Sequence, residues 1–452
     1  MNIYIEIEVL KRELNSKLLL SLELIKRNHT VYLISRDNLN HLVNNNKIVP
    51  GIIFLKDMNA QSYRIQDYKN FVNKKFILVS QDEEIGCFKS ENFSEFFNGR
   101  FKGEKSETFK LINKYFCWGD FDYNFLNKYQ FYTKFVNTGS ARMDLCNSIN
   151  KNTNKEKRKI LISLNQNIFF KRDFIERLSI EINDNMDDLI LDKLISKIFQ
   201  NESKDLILTF YLTNLIKKLN NLDKYEIIIR PHPAMDFHNV LSLFKNKKLF
   251  NNIKVSNRGA LIDQISDIDI LLHFGCTSGI ESTLNNKTTI CYYPNDKFLD
   301  DYKKNLFLNN VGLNFSEEKK LFEFFNNYDE RKLEIEEKIA NDRKKISERV
   351  IIDGNSYIRI SDEIEKLSNK EINNISNPDR IFRKINIKSI IKKIINKYIF
   401  KPNLNQSAFD IKFPEFNEIE IKNTSDYLNR NFSINTNYKL NKLSDRCIKI
   451  SK

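Results

Sequence analysis

Glycine is scarce in this chain, 11 among 452 residues, and tryptophan occurs once. Two glycines set close together, Gly275 and Gly279, therefore stand out in the stretch LLHFGCTSGIES, residues 271–282. The six cysteines, Cys87, Cys117, Cys146, Cys276, Cys291 and Cys447, show no C-x-x-C spacing. That argues against a zinc site and a disulfide framework, and suits reduced thiols in a cytoplasmic protein. No apolar run approaches the roughly 18 residues of a membrane span, and residues 1–13 lack the charged leader and apolar core of a secretory signal. The basic residues are not interleaved with stacking aromatics, which sets nucleic acid aside as a partner. No internal sequence repeat is found.

What is present suffices for two ordinary domains: 452 residues, 41% of them hydrophobic, can fill two cores. Lys and Arg outnumber Asp and Glu by 73 to 59, a formal charge of +14. Such an excess favours nucleic acid, an anionic membrane or phosphorylated small molecules. Heavy use of Lys, Asn and Ile spreads it over solvated surface, so net charge alone selects none of them.

NIYIEIEV (2–9) alternates like a strand, residues 12–27 place Leu14, Leu18, Leu22 and Ile25 on one helical face, and TVYLIS (30–35) is a second strand. Strand, helix and strand in so short a span form a βαβ unit and imply a parallel sheet. GIIFL (51–55), KFILVS (75–80), KYFCWG (114–119) and the start of KFVNTGSARMDL (134–145) read as further strands. The polar NKNTNKEKRK (150–159) reads as a linker, after which ILISLNQN (160–167), YEIIIRPHP (225–233), NIKVS (252–256), IDILLHFG (268–275) and TTICYYP (288–294) repeat the alternation with helices. The expected fold class is α/β, with two Rossmann-like domains, 1–150 and 151–353, facing across a cleft. A charged helix over 331–349 closes the second. The remainder, 354–452, is expected as a basic helical extension that is partly disordered. Within it residues 380–401 carry eight basic residues and no acid, with Ile387, Ile391, Ile394, Ile395 and Tyr398 on one face. That face suits either packing against the sheet or a partner, or contact with an anionic membrane.

Three motifs can carry chemistry. In IIIRPHP a buried strand delivers Arg230 and His232 to the sheet edge where open α/β sheets bind ligands, and the flanking prolines restrict the imidazole. In the stretch around Gly275 and Gly279, a strand, a tight turn and a helix start follow one another. Unpaired N–H groups, the helix dipole and the side chains of Cys276, Thr277 and Ser278 would make a phosphate seat, with Glu281 one turn on placed to accept hydrogen bonds from ribose hydroxyls. The plainer reading has Thr277 or Ser278 as N-cap and Glu281 completing a capping box. In SQDEEIG (80–86) three adjacent carboxylates, Asp82, Glu83 and Glu84, repel one another; that raises the affinity of at least one for a proton and makes them general-base candidates, although a solvated acidic loop has the same composition. Asn165 and Asn167 follow the first strand of the second half, Arg12 and Glu13 that of the first, and Thr138, Gly139, Arg142 and Asp144 end the first half, all where an interdomain cleft would open. No metal or other cofactor is expected.

The order KREL, DEE with a following glycine, WG, TGSARMD, LISLNQN, RPHP and GCTSGIES with CYYP beyond it resembles the bacterial surface carbohydrate biosynthesis proteins, which are similar to GT-B glycosyltransferases. The HP and Ser/Thr-rich motifs are also similar to those of polysialyltransferases, capsule Kdo transferases and teichoic-acid glycerophosphotransferases. The resemblance covers roughly residues 1–350. It implies a nucleotide-activated donor in the second domain, its phosphate held by His232 and the turn 277–279 and its ribose by Glu281. It further implies a base from Asp82, Glu83 or Glu84 for the acceptor hydroxyl. Ile85 precedes Gly86 where the family pattern has glycine directly after the acids, and Ser140-Ala141 stand where it has Asn-Pro. The function so implied is a cytoplasmic, metal-independent glycosyltransferase of surface polysaccharide synthesis, using a CMP-activated nonulosonate or Kdo-like donor and a glycan or lipid-linked acceptor. A CDP-glycerol-type glycerophosphotransferase, a nucleotide-sugar 2-epimerase and a non-catalytic nucleotide- or glycan-binding scaffold are the alternatives.

Overall fold

Runs of branched and aromatic residues become the strands of two sheets in the computed structural model, which describes residues 1–83, 93–147, 157–165, 188–233, 235, 237–244, 253–294, 307–368 and 412–452. The chain divides into two compact units, Met1–Ile149 with Lys345–Lys452, and Asn150–Lys344. Each is Rossmann-like.

In the first unit β1 (Asn2–Ile7), β2 (Thr30–Ser35), β3 (Ile52–Leu55), β4 (Ile77–Ser80), β5 (Lys114–Cys117) and β6 (Lys134–Asn137) are parallel, in the order β2-β1-β3-β4-β5-β6. Successive strand side chains face opposite ways, and both faces are covered here. Tyr4, Tyr32, Ile53, Leu78 and Tyr115 join one aromatic-rich core with Tyr68, Phe71 and Phe97, while Ile3, Ile5, Leu33 and Phe54 are fully buried on the other face. The helix Leu10–Lys26 covers that second face, since its Lys17 ammonium lies 4.3 Å from the centre of the Phe54 ring. Strand order reverses at β1, between β2 and β3, the place where such sheets bind ligands beyond their carboxyl ends.

The end of the chain differs from its reading as an extension lacking a strong period. Residues 412–452 contain the helix Glu418–Asn431 and a hairpin, β13 (Lys439–Ser444) and β14 (Cys447–Ser451), and β14 adds antiparallel to β2. Phe413, Phe416, Ile421, Leu428, Leu443, Cys447, Ile448 and Ile450 are buried there, enough apolar surface to order a short segment. The chain is also tied back earlier. Asp144 accepts hydrogen bonds from the Ser356 hydroxyl at 2.8 Å and the Tyr357 N–H at 2.9 Å, fixing the start of the helix Ser356–Ser368. Gly139, at φ +76°, leaves no room for a Cβ, which would sit 2.3 Å from Ser356 Oγ. The described residues from 345 onward group with the first unit.

In the second unit β7 (Arg158–Ser163), β8 (Tyr225–Arg230), β9 (Ile253–Val255), β10 (Ile270–His273), β11 (Thr288–Tyr292) and β12 (Leu313–Phe315) form a parallel sheet ordered β12-β11-β10-β7-β8-β9. Counted within the unit this is the 3-2-1-4-5-6 order of dinucleotide-binding folds, with its reversal between β7 and β10. Ile160 and Ile162 pack with Leu212, Leu215 and Phe324, whereas Leu161 packs on the opposite face with Ile265 and Ile268.

Candidate functional site

The carboxyl end of each sheet gathers polar side chains, and the two ends are built differently. In the first unit the strand ends hold a buried charge network. Arg64, 1% exposed, lies 3.1 Å from both Glu6 and Asp57. Arg100 joins Asp57 at 3.2 Å to Asp82 at 3.0 Å, and the Tyr68 hydroxyl donates to Asp57 at 3.1 Å. Burial works against ionisation of Asp57, but Arg64, Lys56 and Arg100 outweigh it and hold its carboxyl well below the usual range.

Glu83 ends the next stretch. Its Oε1 lies 2.5 Å from Lys17 Nζ, and its backbone N–H donates to the Lys56 carbonyl at 3.0 Å. Arg142 Nη1 donates to the Glu83 carbonyl oxygen at 3.3 Å. Burial pushes the Glu83 carboxyl up, yet Lys17 first, then Arg142 and Arg12, bring it below the ordinary value. Mutual repulsion among the acids is therefore not what sets its protonation, because Asp82 and Glu83 each face a cation of their own. Glu83 Oε2 is buried with no hydrogen-bond partner among the described residues.

Glu13, in the same cluster, has a raised proton affinity. Burial is the main cause and Glu83 adds to it, against Arg12 and Lys56. Glu13 accepts hydrogen bonds from the N–H groups of Glu8 at 2.9 Å and Val9 at 3.2 Å and pairs with Arg12 at 3.0 Å, so it fastens the first turn of its helix to the end of β1. Lys56 Nζ pairs with Glu8 at 2.5 Å, which with Lys412 overcomes burial and holds Glu8 at about 2. Of the residues expected at this side, Arg12, Glu13, Asp82, Glu83 and Arg142 meet at one strand-end cluster, while Gly139 and Asp144 serve the helix Ser356–Ser368. Burial raises Asp144 to about 6 against its hydrogen bonds. Glu84 lies outside the described residues, as do Asn167 and residues 380–401. Lys17, Lys56, Asp57, Arg64 and Arg100 were not singled out from sequence. A signal existed for two of them, since Lys56-Asp57 follow β3 as the acids follow β4.

In the second unit the strand ends carry mostly neutral groups. The Asn165 amide donates to the Phe274 carbonyl at 3.0 Å, linking the ends of β7 and β10 across the reversal of strand order. The Cys276 thiol lies 3.8 Å from Ser163 Oγ and also against the Ser278 hydroxyl, and burial pushes it up. Arg230, at the end of β8, donates to the carbonyls of Arg258 at 3.2 Å and Gly259 at 2.9 Å. Burial lowers it to about 10, and the charge of the buried Glu281 acts in the opposite sense. RPHP and GCTSGIES are thus electrostatic neighbours. His232, half-buried, sits in a turn in which the Met235 N–H donates to its carbonyl at 2.8 Å.

His273, fully buried, was not expected to matter. Burial drops it to about 4, so the ring is neutral. Its Nδ1 accepts hydrogen bonds from the N–H groups of Gly275 at 3.2 Å and Cys276 at 3.3 Å, and its Nε2 lies 3.3 Å from the Val311 carbonyl. Nδ1 is then the acceptor and Nε2 the donor. Two of the N–H groups expected to be unpaired are consequently used internally. The Gly279 N–H donates to the Cys276 carbonyl, that of Ile280 to the Thr277 carbonyl, and that of Ser278 faces the Cys276 thiol, which leaves the Thr277 N–H at the head of the helix Ser278–Leu284. The expected cap is not formed either. Thr277 is already helical, at φ −62° and ψ −19°, and makes no side-chain cap hydrogen bond. Both glycines have packing reasons: Gly275 takes φ +67° beneath Tyr293 and Asn309, and a Cβ on Gly279 would sit 2.5 Å from His273 Nε2.

No helix among the described residues is long and apolar enough to cross a membrane. No family model and no curated protein sequence matches the chain. Solved structures that resemble it include the S. aureus MnaA–UDP co-structure, 10% identical over 83% of this chain and 99% of that one with a TM-score of 0.48. The wall teichoic acid polymerase TagF is 12% identical over 82% of this chain and 90% of that one, TM-score 0.46. The glycotransferase of kitacinnamycin is 11% identical over 81% and 98%, TM-score 0.42.

Proposed function

We propose that the chain is a GT-B-type glycosyltransferase of bacterial surface polysaccharide synthesis, moving a sugar from a nucleotide-activated donor to a glycan or lipid-linked acceptor. The donor class argued from the sequence motifs is a CMP-activated nonulosonate or Kdo-like acid. Arg230, His232 and the turn at Thr277 and Ser278 would bind the nucleotide phosphate, Asn165 would brace the turn, and Glu281 would accept from ribose hydroxyls. Electrostatic stabilisation of the departing phosphate by fixed donors is then the main catalytic effect in the second unit. In the first unit Glu83 is the base we favour. Lys17 keeps it ionised through one oxygen, and the other oxygen has no hydrogen bond among the described residues. Asp82 is occupied by Arg100.

The observation that supports this reading most is that two distant motifs lie at the carboxyl end of one parallel sheet, where the charge of Glu281 acts on Arg230 and Asn165 links the ends of β7 and β10. Thermal stabilisation of the intact chain by CMP, CDP and UDP tests the donor, because a ligand that binds only the folded state raises the melting temperature. CMP is expected to stabilise most, and His232→Ala to abolish transfer from a CMP-activated donor without lowering the melting temperature. A preference for CDP with turnover of CDP-glycerol would replace the sugar donor by a glycerophosphate one. Unchanged turnover in His232→Ala would overturn the assignment of the phosphate site.

A further inference from the structure

The first unit holds a cavity that the proposed reaction does not use, between the helix Glu418–Asn431 and β13, the outermost strand of its sheet. Its volume is about 620 Å³, within the roughly 300–1,000 Å³ of ordinary small-molecule sites. The charges that line it cancel: Glu418 and Asp426 oppose Lys422 and Lys439. Such a wall selects neither a phosphate nor a cation. Its remaining lining offers amides and hydroxyls from Asn437, Thr436 and Tyr438, beside the apolar Ile419 and Leu440. Ile419 is 73% exposed, although it stands in the first turn of a helix whose other apolar residues, Ile421 and Leu428, are buried.

The wall is also rigid. The Asn429 side chain donates to the Thr436 carbonyl at 2.9 Å and accepts from the Thr436 N–H at 3.1 Å, locking the turn that leads into β13. The Tyr438 hydroxyl donates to Asp426, which fixes the ring and leaves the phenolic oxygen as an acceptor. Burial and then Asp426 raise this phenol well above its usual range, so it stays protonated. Polar groups held in place around a small apolar surface suit a ligand that presents hydroxyls at its edge and C–H groups on its face.

We infer that this cavity binds a neutral oligosaccharide, which Ile419 and Tyr438 contact through the sugar faces while Asn437, Lys422 and Asp426 engage the hydroxyls. The site would hold a stretch of glycan away from the strand ends where transfer is proposed. Binding is read without turnover, so failure of the transferase reading leaves this inference standing, and the reverse holds too.

The experiment titrates the full chain with glucose and N-acetylglucosamine oligomers of three to six units, followed by saturation-transfer NMR. Wild-type protein is expected to saturate with at least one series. Ile419→Asp and Asn437→Ala, both at exposed positions, should each weaken that binding about tenfold or more with an unchanged melting temperature and unchanged nucleotide stabilisation. Tyr438→Phe should weaken it less, because it keeps the ring. Absence of saturation by any neutral oligomer, preference for a sialic acid oligomer over all of them, or equal binding by wild type and Ile419→Asp would overturn the inference.

Discussion

The carboxyl ends of the two sheets share an architecture and differ in chemistry. At the first, Glu6, Glu13, Lys17, Lys56, Asp57, Arg64, Asp82 and Glu83 are all buried and arranged as ion pairs. At the second, Ser163, His273, Cys276 and Ser278 are joined as neutral groups, and the buried charges are those of Arg230 and Glu281. Buried charges hold one another in defined protonation states, which suits a surface that must take up a proton. Neutral dipoles fixed by a neutral imidazole suit a surface that must receive a charged group without moving.

The sharpest way to break this contrast is to remove one member of the charged network. Arg64→Ala should destabilise the chain by about 3–5 kcal/mol in urea unfolding, since it removes the buried cation that lies 3.1 Å from both Glu6 and Asp57, whereas Arg64→Lys should recover part of the loss. Next in size, Glu83→Gln should lower transfer by about a hundredfold or more, the usual scale for a general base, with little change in donor stabilisation. Lys17→Met should reduce turnover and shift the acid limb of its pH profile upward, because Lys17 is what most opposes the effect of burial on Glu83. Among the neutral groups, Gly279→Ala should cost about 1–3 kcal/mol by pressing a methyl into the His273 ring, visible as a lower melting temperature.

The smallest effect concerns Asp144. Its carboxyl titrates near 6 when folded against an ordinary value of 3.8, so the folded state keeps a proton that the unfolded chain has released. Its contribution is full below about pH 4 and is lost as pH rises towards 6. Melting temperatures measured across that interval should fall less steeply for Asp144→Asn than for the wild type.

Much of the architecture was legible along the chain. The segments read as strands at 30–35, 51–55 and 225–233 lie on or around β2, β3 and β8, because branched apolar runs declare themselves locally. The hairpin of β13 and β14 was not legible: its apolar residues are few and its stability comes from pairing with β2, remote in sequence. The sites divide the same way. RPHP and GCTSGIES stand out as strand-to-turn transitions in a glycine-poor chain, and both lie at the carboxyl end of the second sheet. The roles inside them were less visible, since Gly279 answers to the His273 ring and the expected cap at Thr277 is replaced by helical backbone.

By itself, then, the sequence determined two α/β units and the strand ends on which chemistry could stand, because periodicity and turn residues act over a few positions. Only the tertiary structure decided which charges face each other. Three adjacent acids look alike in sequence, yet Asp82 is bound to Arg100 and Glu83 to Lys17, and Coulomb energies depend on distance in space and on lost solvent. The imidazole of His273, an ordinary apolar-strand histidine in the sequence, took the turn's N–H groups because full burial left the ring no water to bond.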